Sequence, residues 1–213
     1  MTRDQFLVLV MPELPECPVP LIMDAANEVI EDFCKRTGVW TVPLDYFTTY
    51  PGVSTYQVDV PTGSRVIDMM SVTCGGRPMR QASAAALSEI TQDWQSATAD
   101  YPSHYELQGD GELRLWPVPT RADVRVNMVA RLTAEMSMTE LPDAVMRNYR
   151  RAIAHGVKAR LMLTPGEPPP AWANEKMAAF HGAAYESAIP VAISHVLSAG
   201  GRGELIIPPV KFG

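Results

Sequence analysis

The run PVPLIMDAANEVIEDFCKRTGVW, residues 18–40, decides the architecture, because it holds one whole helix and the first residues of a different texture. Leu21, Ile22, Ala25, Ala26, Val29, Ile30 and Phe33 recur within it at the spacing of a single helix face, with carboxylates between them. Pro18 and Pro20 suit a first turn, where a missing N–H has no helical partner to lose, and Lys35 and Arg36 suit the negative end of the helix dipole. Gly38 stands where a left-handed cap is expected. The spacing predicts an amphipathic helix from Pro18 to Arg36.

From Val39 to about Arg131 the chain turns to short runs rich in Val, Tyr, Thr, Trp and Met, separated by Pro-Gly, Gly-Gly and Asp-Gly pairs. This predicts strands near 40–46, 54–60, 66–73, 105–107, 112–116 and 123–131, with a short helix over 84–92. Gly75-Gly76 and Gly109-Asp110-Gly111 supply the positive φ angles of tight hairpins. Helix returns at Leu141-Pro142-Asp143, where Val145, Tyr149, Ala152, Ile153, Gly156, Val157 and Leu161 form one apolar stripe. The Thr164 to Pro170 segment stops it. A further helix is expected from Ala171 to about Ile189, carrying Trp172, Met177, Phe180, Ala184 and Ala188, before Pro190 interrupts or kinks it. The fold class expected is α+β: a discontinuous α-helical bundle (15–40 plus 141–199), a mostly antiparallel β-rich insertion (41–140) and an extended C-terminal arm (200–213).

Composition narrows the function. At 213 residues, 46% hydrophobic and 20% charged, the chain is long enough for a substantial core. No apolar run reaches the ~18 residues of a membrane span, so no membrane partner is expected. The stretch Phe6 to Met11, preceded by Asp4 and followed by Pro12 and Pro15, does not read as a secretory signal, and an intracellular origin is expected. Three widely spaced cysteines, Cys17, Cys34 and Cys74, fit neither a disulfide framework nor a zinc site. A net charge of -6 argues against a protein that works by neutralising nucleic-acid phosphate. The charge is uneven, and the last third of the chain carries the surplus of Lys and Arg.

Equipment for catalysis is not legible. His104, His155, His181 and His195 sit in no nucleophile-elbow or metalloprotease pattern. Gly200, Gly201 and Gly203 follow a helix rather than a strand, which discards a phosphate-binding loop. Asp24, Glu28, Glu31 and Asp32 share one face of the first helix at i, i+4, i+7 and i+8, the type of cluster that holds a hard cation, although a solvated or salt-bridged face is the plainer reading. No catalytic residue, metal or cofactor is expected.

Arg147, Arg151, His155 and Lys158 line up at i, i+4, i+8 and i+11 on the helix after Pro142, with Arg150 alongside. Interleaved aromatic residues for stacking bases are missing from this ridge. Solvated surface and pairing within the chain are the plain alternatives. The sharper reading is a subunit interface in which this basic ridge meets the acidic ridge Asp24, Glu28, Glu31 and Asp32 of an identical neighbour, head to tail. A second assembly signal lies behind the glycines of the arm, where Leu205, Ile206, Ile207, Val210 and Phe212 form an apolar peptide stiffened by Pro208 and Pro209. Such a peptide is costly in water and belongs against a partner or folded back on its own domain.

Four segments, taken in order, resemble the head-to-tail adaptor (connector) proteins of tailed bacteriophages, the tail tubular protein A-like class. They are Ala25 to Trp40 with its Phe33-Cys34-x-x-Thr37-x-x-Trp40 exit, Gly76-Arg77-Pro78-Met79, Gly111 to Pro119 with its Gly-x-Leu-x-Leu-x-Pro-x-Pro pattern, and the helical stretch from Leu141 through Tyr149, Gly156 and Pro165-Gly166 to Ile189. Pro190 departs from the uninterrupted closing helix of that class. The resemblance implies a non-enzymatic virion protein at the head–tail junction, made in the host bacterial cytoplasm. It implies a homo-oligomeric ring of about twelve copies, with the portal protein above, a tail or nozzle protein below and double-stranded DNA passing through. The arm residues Leu205, Ile206, Ile207, Pro208, Pro209, Val210 and Phe212 would be the portal-binding set. A different tail-completion or tail-terminator protein is the runner-up, and a metal-dependent nucleic-acid-processing enzyme using the acidic helix face is the rival from another class.

Overall fold

A computed structural model of the chain describes residues 1–90, 93–109, 111–134 and 142–200. The chain divides into two compact units, one from Met1–Val39 with Thr139–Gly213, the other Trp40–Met138.

The first unit is helical. Its opening helix α1, Arg3–Val10, has a capping box: the Gln5 N–H donates to Thr2 Oγ1 at 3.3 Å, and the Thr2 N–H donates back to Gln5 Oε1 at 3.1 Å. This helix was not expected from periodicity, since eight residues carry only two buried positions, Phe6 and Val10. A 3₁₀ turn, Met11–Glu13, leads to α2, Val19–Thr37. Helix α2 ends as its sequence requires, with Gly38 at φ 69° and its N–H bonded to Cys34 O at 2.9 Å.

A stretch over Ala84–Ile90 in the other unit is α3, and the long helices α4, Asp143–Met162, and α5, Glu175–Gly200, complete the helical one. Helix α4 is central, packing against α1, α2 and α5. Its apolar stripe includes the expected Val145, Ala152, Ile153, Gly156, Val157 and Leu161, all buried. Phe33 of α2 lies 5.1 Å from the ring of Tyr149 and 6.1 Å from that of Tyr185, joining three helices through aromatic faces. Gly156 lets these helices come close: a Cβ there would lie 2.6 Å from Val29 Cγ1 and 2.9 Å from Tyr185 Cδ2.

Helix α5 differs from its expectation in start, phase and end. It begins after Asn174, whose side chain accepts the Met177 N–H at 3.1 Å, so Ala171 and Trp172 precede it. Its buried side chains are Ala178, His181, Tyr185, Ile189 and Ala192, one position on from the stripe expected at Met177, Phe180, Ala184 and Ala188, and Phe180 is 60% exposed. The helix is apolar almost all round, so periodicity has no unique phase to report. It also runs through Pro190. That residue lies on the exposed side, where the Glu186 carbonyl left without its donor can be hydrated.

The second unit is built from two four-stranded sheets. One has the order β1-β10-β3-β4, formed by Thr41–Thr48, Arg125–Ala134, Ser64–Cys74 and Arg77–Pro78, all antiparallel. The other has the order β2-β8-β7-β5, formed by Thr55–Gln57, Glu112–Trp116, His104–Gln108 and Arg80–Gln81, antiparallel except for the β5–β7 pair. A parallel two-residue pair, β6 (Thr98–Ala99) with β9 (Val118–Pro119), completes it. Leu44, Met69, Val72, Val126, Met128 and Leu132 from the first sheet and Tyr105, Leu113 and Leu115 from the second form one buried cluster. Of the strand expected over 54–60, Thr55–Gln57 pair with β8, and the Val58 N–H continues the ladder to Gly111 O at 2.9 Å. Gly75 opens the β3–β4 hairpin at φ 58°, and a Cβ there would lie 2.7 Å from the Tyr101 ring. Asp110 lies outside the described residues. The whole is α+β, as expected.

Candidate functional site

The helical unit carries the residues expected to mediate assembly, and the structure sorts them into paired and solvent-facing groups. On the acidic face of α2, Asp24 is exposed and Glu31 half-buried. Glu28 pairs with Arg160 of α4 at 2.6 Å, and Asp32 accepts the Tyr185 hydroxyl at 2.8 Å and Arg36 at 3.4 Å. The Arg36 guanidinium also grips both oxygens of Glu186, 2.8 Å to Oε1, tying α2 to α5. These contacts leave their mark on acidity. Burial and the hydrogen bond to Asp32 push the Tyr185 phenol far up, and the Arg36 hydrogen bond holds Glu186 below the usual carboxylate range.

Glu28 and Asp32 are thus bonded within the chain, which sets two of the four carboxylates of this face against cationic or hydroxyl partners. Among the described residues no group of three or more His, Cys, Asp or Glu side chains converges on a common metal position.

On α4, Arg147, Arg150 and Arg151 are exposed. Arg147 and Arg150 border an open groove of about 450 Å³ between α1 and α4, floored by Leu9 and Met146. Lys158 departs from this ridge. It is 7% exposed and bonded to Glu13, because its position on the helix turns toward the 3₁₀ segment, so it is buried inside its own unit instead of facing a neighbour. His155 is half-buried and likewise turned inward, its Nδ1 2.8 Å from His181 Nδ1. Sequence reasoning missed the partners in this cluster, Glu13 and His181, since no local spacing links residues so far apart.

The other histidines and the cysteines have ordinary surroundings. His104 contacts Ser103 Oγ at 2.9 Å and His195 the Tyr149 hydroxyl at 3.2 Å. All three thiols are buried, and burial pushes Cys17 and Cys74 up, which disfavours the reactive thiolate. No helix among the described residues is long and apolar enough to cross a membrane.

A third feature was not read as an assembly surface from the sequence. The outer side of α5 presents Phe180 (60% exposed), Val191 (52%) and Leu197 (70%), with Ile193, Ala179, Ala183 and Pro190 between them. Exposed Ser187 and Ser194 interrupt them, so the side is mixed, yet three large apolar side chains at more than half exposure on one helix are the kind of surface a partner covers. The arm residues Leu205, Ile206, Ile207, Pro208, Pro209, Val210 and Phe212 lie outside the described residues.

Arg36 offers a direct check of the α2–α5 bridge. Arg36→Gln is expected to lower stability at pH 7 by less than about 1 kcal/mol, since the partners are largely exposed and screened. The depressed acidity of Glu186 fixes the sign. Its contribution is present above the ordinary Glu value of 4.5 and fades as the pH falls through the lower folded value, so urea titrations of variant and parent should converge in acid.

An α+β chain with charge-paired helix faces and exposed apolar side chains along its last helix offers surfaces suited to assembly. The family model described as SU10 adaptor protein matches residues 1–203, and the chain belongs to that family. It is a structural head-to-tail adaptor of a phage, a component of the virion that works with portal and tail proteins. No curated protein matches the chain.

Proposed function

We propose that the protein is one subunit of a homo-oligomeric ring, of about twelve copies, that joins the portal to the tail and encloses part of the DNA conduit. The observation that carries this reading is the adaptor family match over residues 1–203, nearly the whole chain. The exposed apolar side of α5 and the exposed Arg147, Arg150 and Arg151 support it as surfaces suited to neighbouring subunits, with Asp24 and the acidic side of α2 as the opposite partner. Glu28 and Asp32 would take part only by sharing charge already bonded within the chain. The arm from Leu205 to Phe212 reaches the portal in this scheme. A net charge of -6 suits a wall past which DNA must slide without sticking. The protein transforms no substrate and acts through large buried contacts multiplied around a ring.

Electron microscopy of the purified protein mixed with its portal tests the scheme directly. Closed rings seated on the portal are the expected result, and the absence of any ring, alone or with portal, overturns it. The charge ridge has its own check. Arg147→Glu with Arg151→Glu should weaken subunit association, most strongly at low salt, when followed by light scattering. An unchanged oligomer removes the ridge from the interface.

A further inference from the structure

Within the helical unit, four ionisable side chains from three elements form a continuous chain. Lys158 of α4 bonds one oxygen of Glu13, which ends the 3₁₀ turn. The other oxygen of Glu13 lies 2.8 Å from His181 Nε2 on α5. His181 Nδ1 lies 2.8 Å from His155 Nδ1 back on α4. His181 is 2% exposed and Lys158 7%, so both are held inside the unit, while the Glu13 carboxylate they share is exposed on its outer side. The ring of Phe180 meets both imidazoles edge to face, at 6.3 Å from His155 and 5.3 Å from His181.

Two imidazole nitrogens at hydrogen-bond distance hold one proton between them, with one nitrogen donating and the other accepting. The contact exists when both rings are neutral, with His155 donating and His181 keeping its Nε2–H for Glu13. It survives a first added proton, since either ring can be the cation while the other accepts. A second added proton puts an N–H on each facing nitrogen and two like charges side by side, with no acceptor left. The ionisable groups acting on His155 are His181, Lys158 and Glu13, two that become or are cationic against one carboxylate.

We propose that the Glu13–His181–His155 chain is an acid-sensitive latch on the N-terminal segment: it sets how readily residues 1–14 open from α4 and α5, and it weakens when both imidazoles become cationic. Glu13 is the point of attachment, because it ends the segment whose apolar side chains Phe6, Val10 and Leu14 are buried in the unit. Burial, the neighbouring imidazole and Lys158 together hold His155 below the ordinary histidine value of 6.5, against the pull of Glu13. The sign follows. The folded unit prefers the neutral ring, so the docked state is fully favoured above about pH 6.5 and loses ground as the pH falls below it. Glu13 adds nothing in this window, because its own folded value lies below 4.5 and its charge persists. This inference is independent of ring formation.

Hydrogen–deuterium exchange on the full chain reads the latch. Peptides covering residues 1–14 are followed from pH 7.5 to 5.0 and corrected for the intrinsic chemical rate. The opening constant is expected to rise by up to about tenfold per pH unit for each coupled proton, while peptides from β3 and β10 keep theirs. His155→Gln, at a half-buried position where the amide can still donate to His181, should abolish the rise. An opening constant independent of pH, or the same rise in His155→Gln, overturns the proposal. Ring-proton NMR of the parent protein covers the case of a variant that does not fold: the His155 ring signals should report its protonation over the range where the segment loosens. Protonation of both rings with unchanged exchange overturns it equally.

Discussion

Gly156→Ala is expected to destabilise the protein, and Gly182→Ala to stabilise it, although both glycines sit inside long helices. A helix interior favours Ala over Gly by about 1 kcal/mol, because glycine loses more backbone freedom on folding. At Gly182 the added Cβ meets only Ala159 Cβ at 4.0 Å, an ordinary contact, so most of that gain should be kept. At Gly156 the same atom would stand 2.6 Å from Val29 Cγ1 and 2.9 Å from Tyr185 Cδ2. Val29 is stiff at χ1, and the Tyr185 ring is fixed by its hydroxyl bond to Asp32, so neither yields without moving a helix. Overpacking of this kind costs about 1–3 kcal/mol, and Gly156→Val, with two further methyls, belongs at or above the upper end. At about 4–8 °C per kcal/mol for a domain near 100 residues, thermal unfolding of Gly156→Val should fall by about 10 °C or more. A Gly156→Val protein that melts with its parent would show that α2, α4 and α5 do not meet closely at this point.

Truncation after Gly203 is the second large effect. The shortened protein should stay folded, with an unchanged circular dichroism spectrum and melting temperature, and should fail to join the portal in sedimentation or microscopy. The residues removed include Leu205, Ile206, Ile207, Val210 and Phe212, five apolar side chains, and each buried aliphatic or aromatic group of this size contributes about 1.5–3 kcal/mol of transfer free energy before the cost of ordering the peptide. Pro208 and Pro209 reduce that ordering cost by limiting the free peptide to extended forms. Repeated around a ring, even a modest contact per arm becomes a durable attachment. Normal portal joining by the truncated protein removes the arm from its assigned role. A truncated protein with a lowered melting temperature would instead place the arm against its own domain.

The elements that were legible are those whose local sequence has one solution. Helix α2 combines a single apolar face with prolines at its start and glycine at its end, so its boundaries could be read to within a residue or two. Strands β3, β7, β8 and β10 were located by β-branched and aromatic runs between turn pairs. The two-residue strands β4, β5, β6 and β9 have no period to detect, and α1 is too short to display one. For the candidate site, the acidic and basic ridges were visible as helix faces, yet which member is paired was not. Lys158 looks like Arg151 in sequence, and only the position of Glu13 in space separates a buried bond from an exposed charge.

What the amino-acid order determined by itself, then, was the alternation of helical and strand texture, the caps, the acidic balance and the motifs of an adaptor, because these depend on neighbours within a few positions. The tertiary structure alone decided the phase of α5, the burial of His181 and Lys158, and the opposite roles of Gly156 and Gly182. Each of these depends on what a second element brings within a few ångströms, and a helix that is apolar on every side carries no local record of which side will be covered.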